Sequence, residues 1–175
     1  MREFKAALEP LGFELRQRSE EIDEIQADEL EDVVRDCMAQ LQARRVQNYI
    51  IDDSGLFIDA LGGFPGVYSA YALKTLGCRG IIKLMEGMSD RIARFRCCIG
   101  CNAGRLGEIV ISAEAVGTII DEERGSGGFG FDPIFVPSRY DRTFSELPLE
   151  EKNLISHRGK AINSLSASLS KQKEK

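Results

Sequence analysis

One histidine, five cysteines and five prolines in 175 residues leave little material for several common kinds of site. A single histidine outside any Ser or Cys nucleophile motif argues against Ser-His-Asp catalysis. Five cysteines are an odd number for a disulfide framework and sparse for this length, so reduced thiols are expected. No apolar run approaches the roughly 18 residues of a membrane span, and the first residues lack the apolar centre of a signal peptide. Positive charge is also short: 23 Lys and Arg against 28 Asp and Glu give a net charge of −5. Nucleic-acid and membrane-surface binders need a basic face, so neither partner is expected. A soluble, cytoplasmic protein follows, with room for a local basic pocket that holds a small anion.

What is present suits one packed domain over residues 1–175, with 43% apolar and 29% charged residues and no domain-sized linker. The chain opens in a helix, with Phe4, Ala7, Leu8 and Leu11 at helical spacing, and stops at 10–12. A short extended stretch is expected at 13–16. Leu30, Val33, Val34, Cys37, Met38 and Leu41 form a single apolar stripe, the clearest helix in the sequence. Asp28 with Glu31 three residues later reads as its capping box, and Arg44 and Arg45 complement its C-terminal dipole. A strand is expected at 49–51, ending in an Asp-Asp-Ser-Gly turn, and a second extended run at 56–61. Helices are expected at 67–76 and 81–88, a hairpin at 94–101 and 108–120, an extended piece at 132–137 and a final helix from about Ser156. The fold class is α/β, with a mixed twisted sheet.

Three segments carry chemistry. Asp52-Asp53-Ser54-Gly55 delivers carboxylates to a sheet rim, where they suit Mg²⁺ or cap a solvated turn. Adjacent strand residues face opposite sides, so only one of the two aspartates points into a given cleft. The run Arg124-Gly125-Ser126-Gly127-Gly128-Phe129-Gly130-Phe131-Asp132-Pro133 places aromatics and an acid among glycines. It suits stacking on a planar base, or a wide turn with core phenylalanines; no Lys-Ser/Thr follows it, so it is not a P-loop. Lys152-Asn153 and Ser156-His157-Arg158-Gly159 put the one histidine and an arginine in the first turn of a helix. A cation there opposes the helix dipole, so Arg158 asks for an anionic or carbonyl-bearing ligand, unless the segment is a plain surface cap. Cys98 and Cys101 have half a zinc spacing, but strand alternation spreads Cys97, Cys98 and Cys101 over both faces, so buried thiols are expected.

Together these segments resemble the signatures of the inosine triphosphatase family, the XTP/dITP diphosphatases. Asp52-Asp53-Ser54-Gly55-Leu56 with Gly62-Gly63-Phe64-Pro65-Gly66-Val67-Tyr68-Ser69 is similar to its first motif. The stretch from Gly127 to Phe135 is similar to its base-site loop, and the block from Lys152 to Ala161 to its C-terminal motif. The similarity follows the family's order over nearly the whole chain. The resemblance implies a two-lobed fold with the substrate between lobes, a homodimer, and Mg²⁺-dependent hydrolysis of ITP, dITP or XTP to the monophosphate and pyrophosphate. It further implies Asp53 as metal ligand and proton acceptor, and Glu24 as the second metal carboxylate. Ser54 would lie near the phosphates, with Phe129, Gly130, Phe131, Asp132, Lys152, His157 and Arg158 around the base.

The resemblance departs at residue 1. In the family a strand and a Thr/Ser-x-Asn-x-x-Lys phosphate loop precede the Arg-Glu-Phe that stands here at residues 2–4. The expectation is a domain lacking that strand and loop, roughly a dozen residues, with its start placed too far downstream. Were Met1 the true start, the alternative is a nucleotide-binding protein with reduced or lost turnover.

Overall fold

Two long alternating strands set the frame. In the computed structural model, which describes residues 1–173 (side chains of 172 and 173 excepted), β3 (Ile92–Asn102) and β4 (Glu108–Ile119) form an antiparallel hairpin. A 3-10 turn at Gly104–Leu106 joins them, and Gly107 leaves it with φ 80°, a backbone angle that suits glycine. On the other side of β3 lies β1 (Tyr49–Ile58), paired antiparallel over its whole length. Short β2 (Pro65–Gly66) and β5 (Phe135–Pro137) complete a sheet of order β2-β1-β3-β4-β5, with every pair antiparallel.

The alternation of β3 divides the core. Cys97, Ile99 and Cys101 face α1 (Arg2–Leu8) and α6 (His157–Lys173), in a cluster with Phe4, Leu8, Leu165 and Leu169. Cys98 faces the opposite way, onto α2 (Leu30–Ala43) through Leu30, Val34 and Met38. Gly100 shares that second face, and a Cβ there would strike Met38 and Val34, so its missing side chain lets α2 lie close. Beyond Phe95 a third cluster packs Leu56, Ile58, Phe135 and Phe144 under α3 (Ser69–Thr75) and α4 (Gly77–Leu84). The five cysteines are free and buried, as their spacing suggested. Among the described residues no helix is long and apolar enough to cross a membrane.

The first two helices, the hairpin and the last helix stand where periodicity put them. Four local expectations are corrected. First, α2 starts from Glu29 with no side-chain cap, not from an Asp28–Glu31 box. Glu29 and Glu31 instead reach Arg96 on β3, at 2.7 and 3.4 Å, and Glu31 also accepts from Ser112. Their charges still favour the helix N-terminus, but they are spent docking it to the sheet. Second, Asp52-Asp53-Ser54-Gly55 is no turn, because β1 runs straight through it. Gly55 is needed because a Cβ would run into the Gly66 carbonyl, where β2 crosses over. Third, residues 13–16 join no strand, and 14–28 make no backbone–backbone hydrogen bond among the described residues. Fourth, residues 132–134 form a 3-10 turn before β5, and the break between the middle helices narrows to Leu76.

Candidate active site

Because β2 covers β1 only at Leu56 and Phe57, the outer side of β1 is unpaired from Tyr49 to Gly55. That open side carries the paired aspartates. Asp53 stands opposite Cys98 in the ladder, on the α2 face, and accepts the Ser54 N–H at Oδ1, 2.8 Å away. Burial, opposed by the Ser54 bond and reinforced by the charges of Glu24 and Asp52, pushes its pKa up to about 6. Glu24 lies in the extended stretch before α2. That stretch is tied down by Gln40, which accepts the Asp23 N–H at 3.1 Å and donates to the Asp23 carbonyl at 2.6 Å. Arg44, donating to the Glu21 carbonyl, adds a second tie.

Two carboxylates close enough to repel are a donor set that a hard divalent cation would relieve. Among the described residues no cluster of three or more His, Cys, Asp or Glu could hold a metal by itself. Mg²⁺ asks for less, since it binds through one or two carboxylates plus substrate phosphates and water. Glu24 and Asp53 fit that requirement.

Asp52 faces the other way. Its Oδ2 pairs with an Arg158 terminal nitrogen at 2.8 Å, and both side chains are largely covered, 24% and 28% exposed. Arg158 therefore has its anionic partner within the protein, which corrects the expectation that a ligand alone supplies it. Burial works against the Arg158 charge, but Asp52, Cys97 and Glu3 together outweigh it and the pKa is raised. The guanidinium also lies 5.5 Å from the centre of the Phe129 ring, and its Nε is buried without a partner among the described residues.

Phe129 leads into the second group. Its ring is 58% exposed, with the Lys152 ammonium 4.6 Å from its centroid. Lys152 is itself buried and pairs with the buried Asp132 at 2.5 Å. The same Asp132 Oδ2 accepts the Phe129 N–H at 2.7 Å, so the acid shapes the loop. Gly128, at φ 74°, makes this possible, since a Cβ there would collide with the Asp132 carboxylate. Gly130 accepts the Cys78 thiol at 3.5 Å, and Phe131 turns into the core, 2% exposed.

His157 opens α6 and stacks on Phe95, with centroids 4.8 Å apart and planes 9° from parallel. Burial first, then the charges of Arg158, Lys152 and Lys160, lowers its pKa to about 3, so it is neutral at physiological pH. Its Nδ1 is buried without a partner among the described residues. Ser156 caps the helix by accepting the Gly159 N–H at 3.1 Å. Ser54 stands opposite Cys97, whose thiol burial drives up to about 12 and so disqualifies as a nucleophile.

The residues expected from the sequence thus fall into two groups, one on each side of β1. Glu24 and Asp53 lie on the α2 side; Lys152, Asp132, Phe129, His157 and Arg158 cluster around the start of α6. Asp52, which the sequence left without a role, joins the groups through Arg158. Strand alternation was the signal for it: if Asp53 faces one side, the neighbouring acid needs a partner on the other. A groove of about 690 Å³, lined by Phe4, Leu8, Arg16, Arg18, Ile50 and Asp52 among others, runs along the open side of β1. A depression of about 710 Å³ around Arg91 and Ile119 contains none of these site residues.

Comparison with known proteins places the chain in a family. The Ham1 family, described as Ham1p_like, matches residues 1–168. The chain is 50% identical over 161 residues to a dITP/XTP pyrophosphatase of Thermococcus kodakarensis, covering 91% of this chain and 86% of that protein. It is 47% identical over 163 residues to one of Pyrococcus horikoshii, covering 93% and 87%. Among solved structures, the Staphylococcus aureus Ham1 protein superposes with a TM-score of 0.83 at 30% identity, covering 98% of this chain and 93% of that one. A nucleoside-triphosphatase / dITP/XTP pyrophosphatase from Mycobacterium abscessus gives 0.72 at 30% identity, covering 94% and 91%. With matches over nearly its whole length in both sequence and fold, the chain belongs to the Ham1 family.

Proposed function

We propose that this chain hydrolyses ITP, dITP and XTP to the nucleoside monophosphate and pyrophosphate, with Mg²⁺ held by Glu24 and Asp53. Its relatives named dITP/XTP pyrophosphatase support the substrate class. One observation carries the reading at the level of residues. A single strand, β1, joins a carboxylate with a pKa near 6 to a pocket of cations and an exposed aromatic ring.

Each half has its work. Asp53, ionised and directed to the site, takes the proton of the attacking water. A bound Mg²⁺ would neutralise charge on the phosphate oxygens. Ser54 lies beside the phosphates, and the exposed face of Phe129 stacks on the base with Lys152 over its rim. Arg158 and the neutral His157 present N–H groups to a 6-oxo group. A 6-amino purine would leave those donors unpaired in a covered site, and mismatches of that kind are strongly rejected. The enzyme is read as a cytoplasmic homodimer.

The test is pyrophosphate release from dITP and XTP, with dATP as control, in Mg²⁺ and after chelation. Release from the first two that needs the metal is the expected result. Binding of dITP without release would reduce the protein to a nucleotide binder.

A further inference from the structure

We propose that Asp52 is a positioning residue for base selection: it holds the Arg158 guanidinium in the orientation that recognises an oxo-purine. The inference deepens the function proposed above and rests on it. Four observations converge. Asp52, on β1, takes one terminal nitrogen of Arg158, on α6, at 2.8 Å. The Phe129 ring, 5.5 Å from the guanidinium carbon, limits it on a second side. The Arg158 Nε is buried and unpartnered among the described residues, so one N–H lacks an acceptor that a ligand could supply while the other end is anchored. Finally, Arg158 sits in the first turn of α6, where the helix dipole repels a cation, so some anion must hold it there.

The free alternatives for an arginine without this anchor are many. Its side chain has about 2 kcal/mol of rotamer entropy, and the helix dipole disfavours its charge at this end. Asp52 removes that freedom before the nucleotide arrives, so the oxo group meets a donor already aimed. Both the anchor and the proton acceptor Asp53 lie on β1, one residue apart on opposite faces. The strand therefore fixes the base and the reacting phosphate in one register.

The experiment compares kcat and KM for dITP and dATP in wild type, Asp52→Asn and Asp52→Glu, and in Arg158→Met with and without Asp52→Asn. Asp52→Asn is expected to lower the dITP/dATP ratio of kcat/KM about tenfold, or ~1.4 kcal/mol, mainly by raising KM for dITP. Asp52→Glu, which keeps the anion, is expected to restore most of the ratio. In the Arg158→Met background the Asp52 change is expected to alter the ratio by less than twofold, since the group it acts through is gone. An unchanged ratio, an equal fall for both substrates, or the same tenfold effect without Arg158 would each overturn the proposal. The Arg158 Nε–H resonance in ¹⁵N spectra gives an independent reading. It is expected to be slow-exchanging in wild type and to broaden or shift in Asp52→Asn, and an identical signal in both would refute the anchor. If wild type releases no pyrophosphate from dITP, the proposed function fails, and the resonance still decides whether Asp52 holds Arg158.

Discussion

Asp53 carries opposite obligations to stability and to catalysis. Its folded pKa of about 6 lies above the ordinary carboxylate value of 3.8, so the folded state binds the proton more tightly. The associated stability is present below pH 3.8 and is lost as the pH rises through 6. In the metal-free protein Asp53→Asn is therefore expected to raise the thermal midpoint at pH 7.5, with the gain shrinking towards pH 4. Scans across that range check it. Mg²⁺ should raise the midpoint of wild type and leave Asp53→Asn unmoved, because only the carboxylate binds the ion. Turnover of dITP by the same variant is expected to fall by ~10²–10⁴-fold, the usual contribution of a positioned base. A variant that is less stable at neutral pH and still active would remove Asp53 from both roles.

The buried pair of Lys152 and Asp132 is a second residue-scale test. Lys152→Met leaves a carboxylate 2% exposed and without its cation, a loss on the order of 3–5 kcal/mol. Asp132 would keep only the Phe129 N–H, so adding Asp132→Asn to the first change should recover part of that loss. Chemical denaturation of the single and double variants measures both. Equal stability of the two would mean that the Asp132 side chain bears no uncompensated cost in the Lys152 variant.

At the scale of elements, the meeting of α5 (Leu149–Ile155) with α6 fixes where His157 and Arg158 point. A Cβ on Gly159 would run into the backbone carbonyl of Asn153, which belongs to a helix and cannot step aside as a side chain could. Gly159→Ala should therefore shift the start of α6, cost about 1–3 kcal/mol as other overpacked sites do, and raise KM for dITP. Denaturation midpoints and kinetics read the two effects separately. Elements of this kind were legible in the sequence where periodicity was long. The stripe on α2 and the hairpin of β3 and β4 have one face each against the core, and burial enforces the pattern. The Asp-Asp-Ser-Gly stretch misled because its residue types favour turns, while the crossing of β2 demands glycine for a different reason. The cap of α2 misled because Arg96, 60-odd residues away, claims Glu29 and Glu31. The base loop and the α6 turn were legible as chemistry but not as contacts. Nothing local in Asp132 says that its carboxylate serves Lys152 and the Phe129 amide, and nothing local in Asp52 names Arg158.

At the scale of the molecule, β3 is the shared wall of all three core clusters, through Phe95, Cys97 with Ile99 and Cys101, and Cys98. It is also paired on both sides from Ala93 to Asn102. The opposite extreme is the stretch 14–28, which has no backbone–backbone hydrogen bond among the described residues and is held by Gln40 and Arg44. Local opening free energies should follow that contrast, so amide exchange is expected to be slowest in β3 and fastest in 14–28. The site spans both extremes, since Asp53 sits on the wall and Glu24 on the loosely tied stretch. Binding Mg²⁺ with a non-hydrolysable dITP analogue should therefore slow exchange most around Glu24, and with it in β1 and the first turn of α6. Exchange read by mass spectrometry, with and without metal and analogue, separates the cases. Protection confined to α6 and the base loop would show a nucleotide held by its base alone, and Glu24 would then have no part in the metal site.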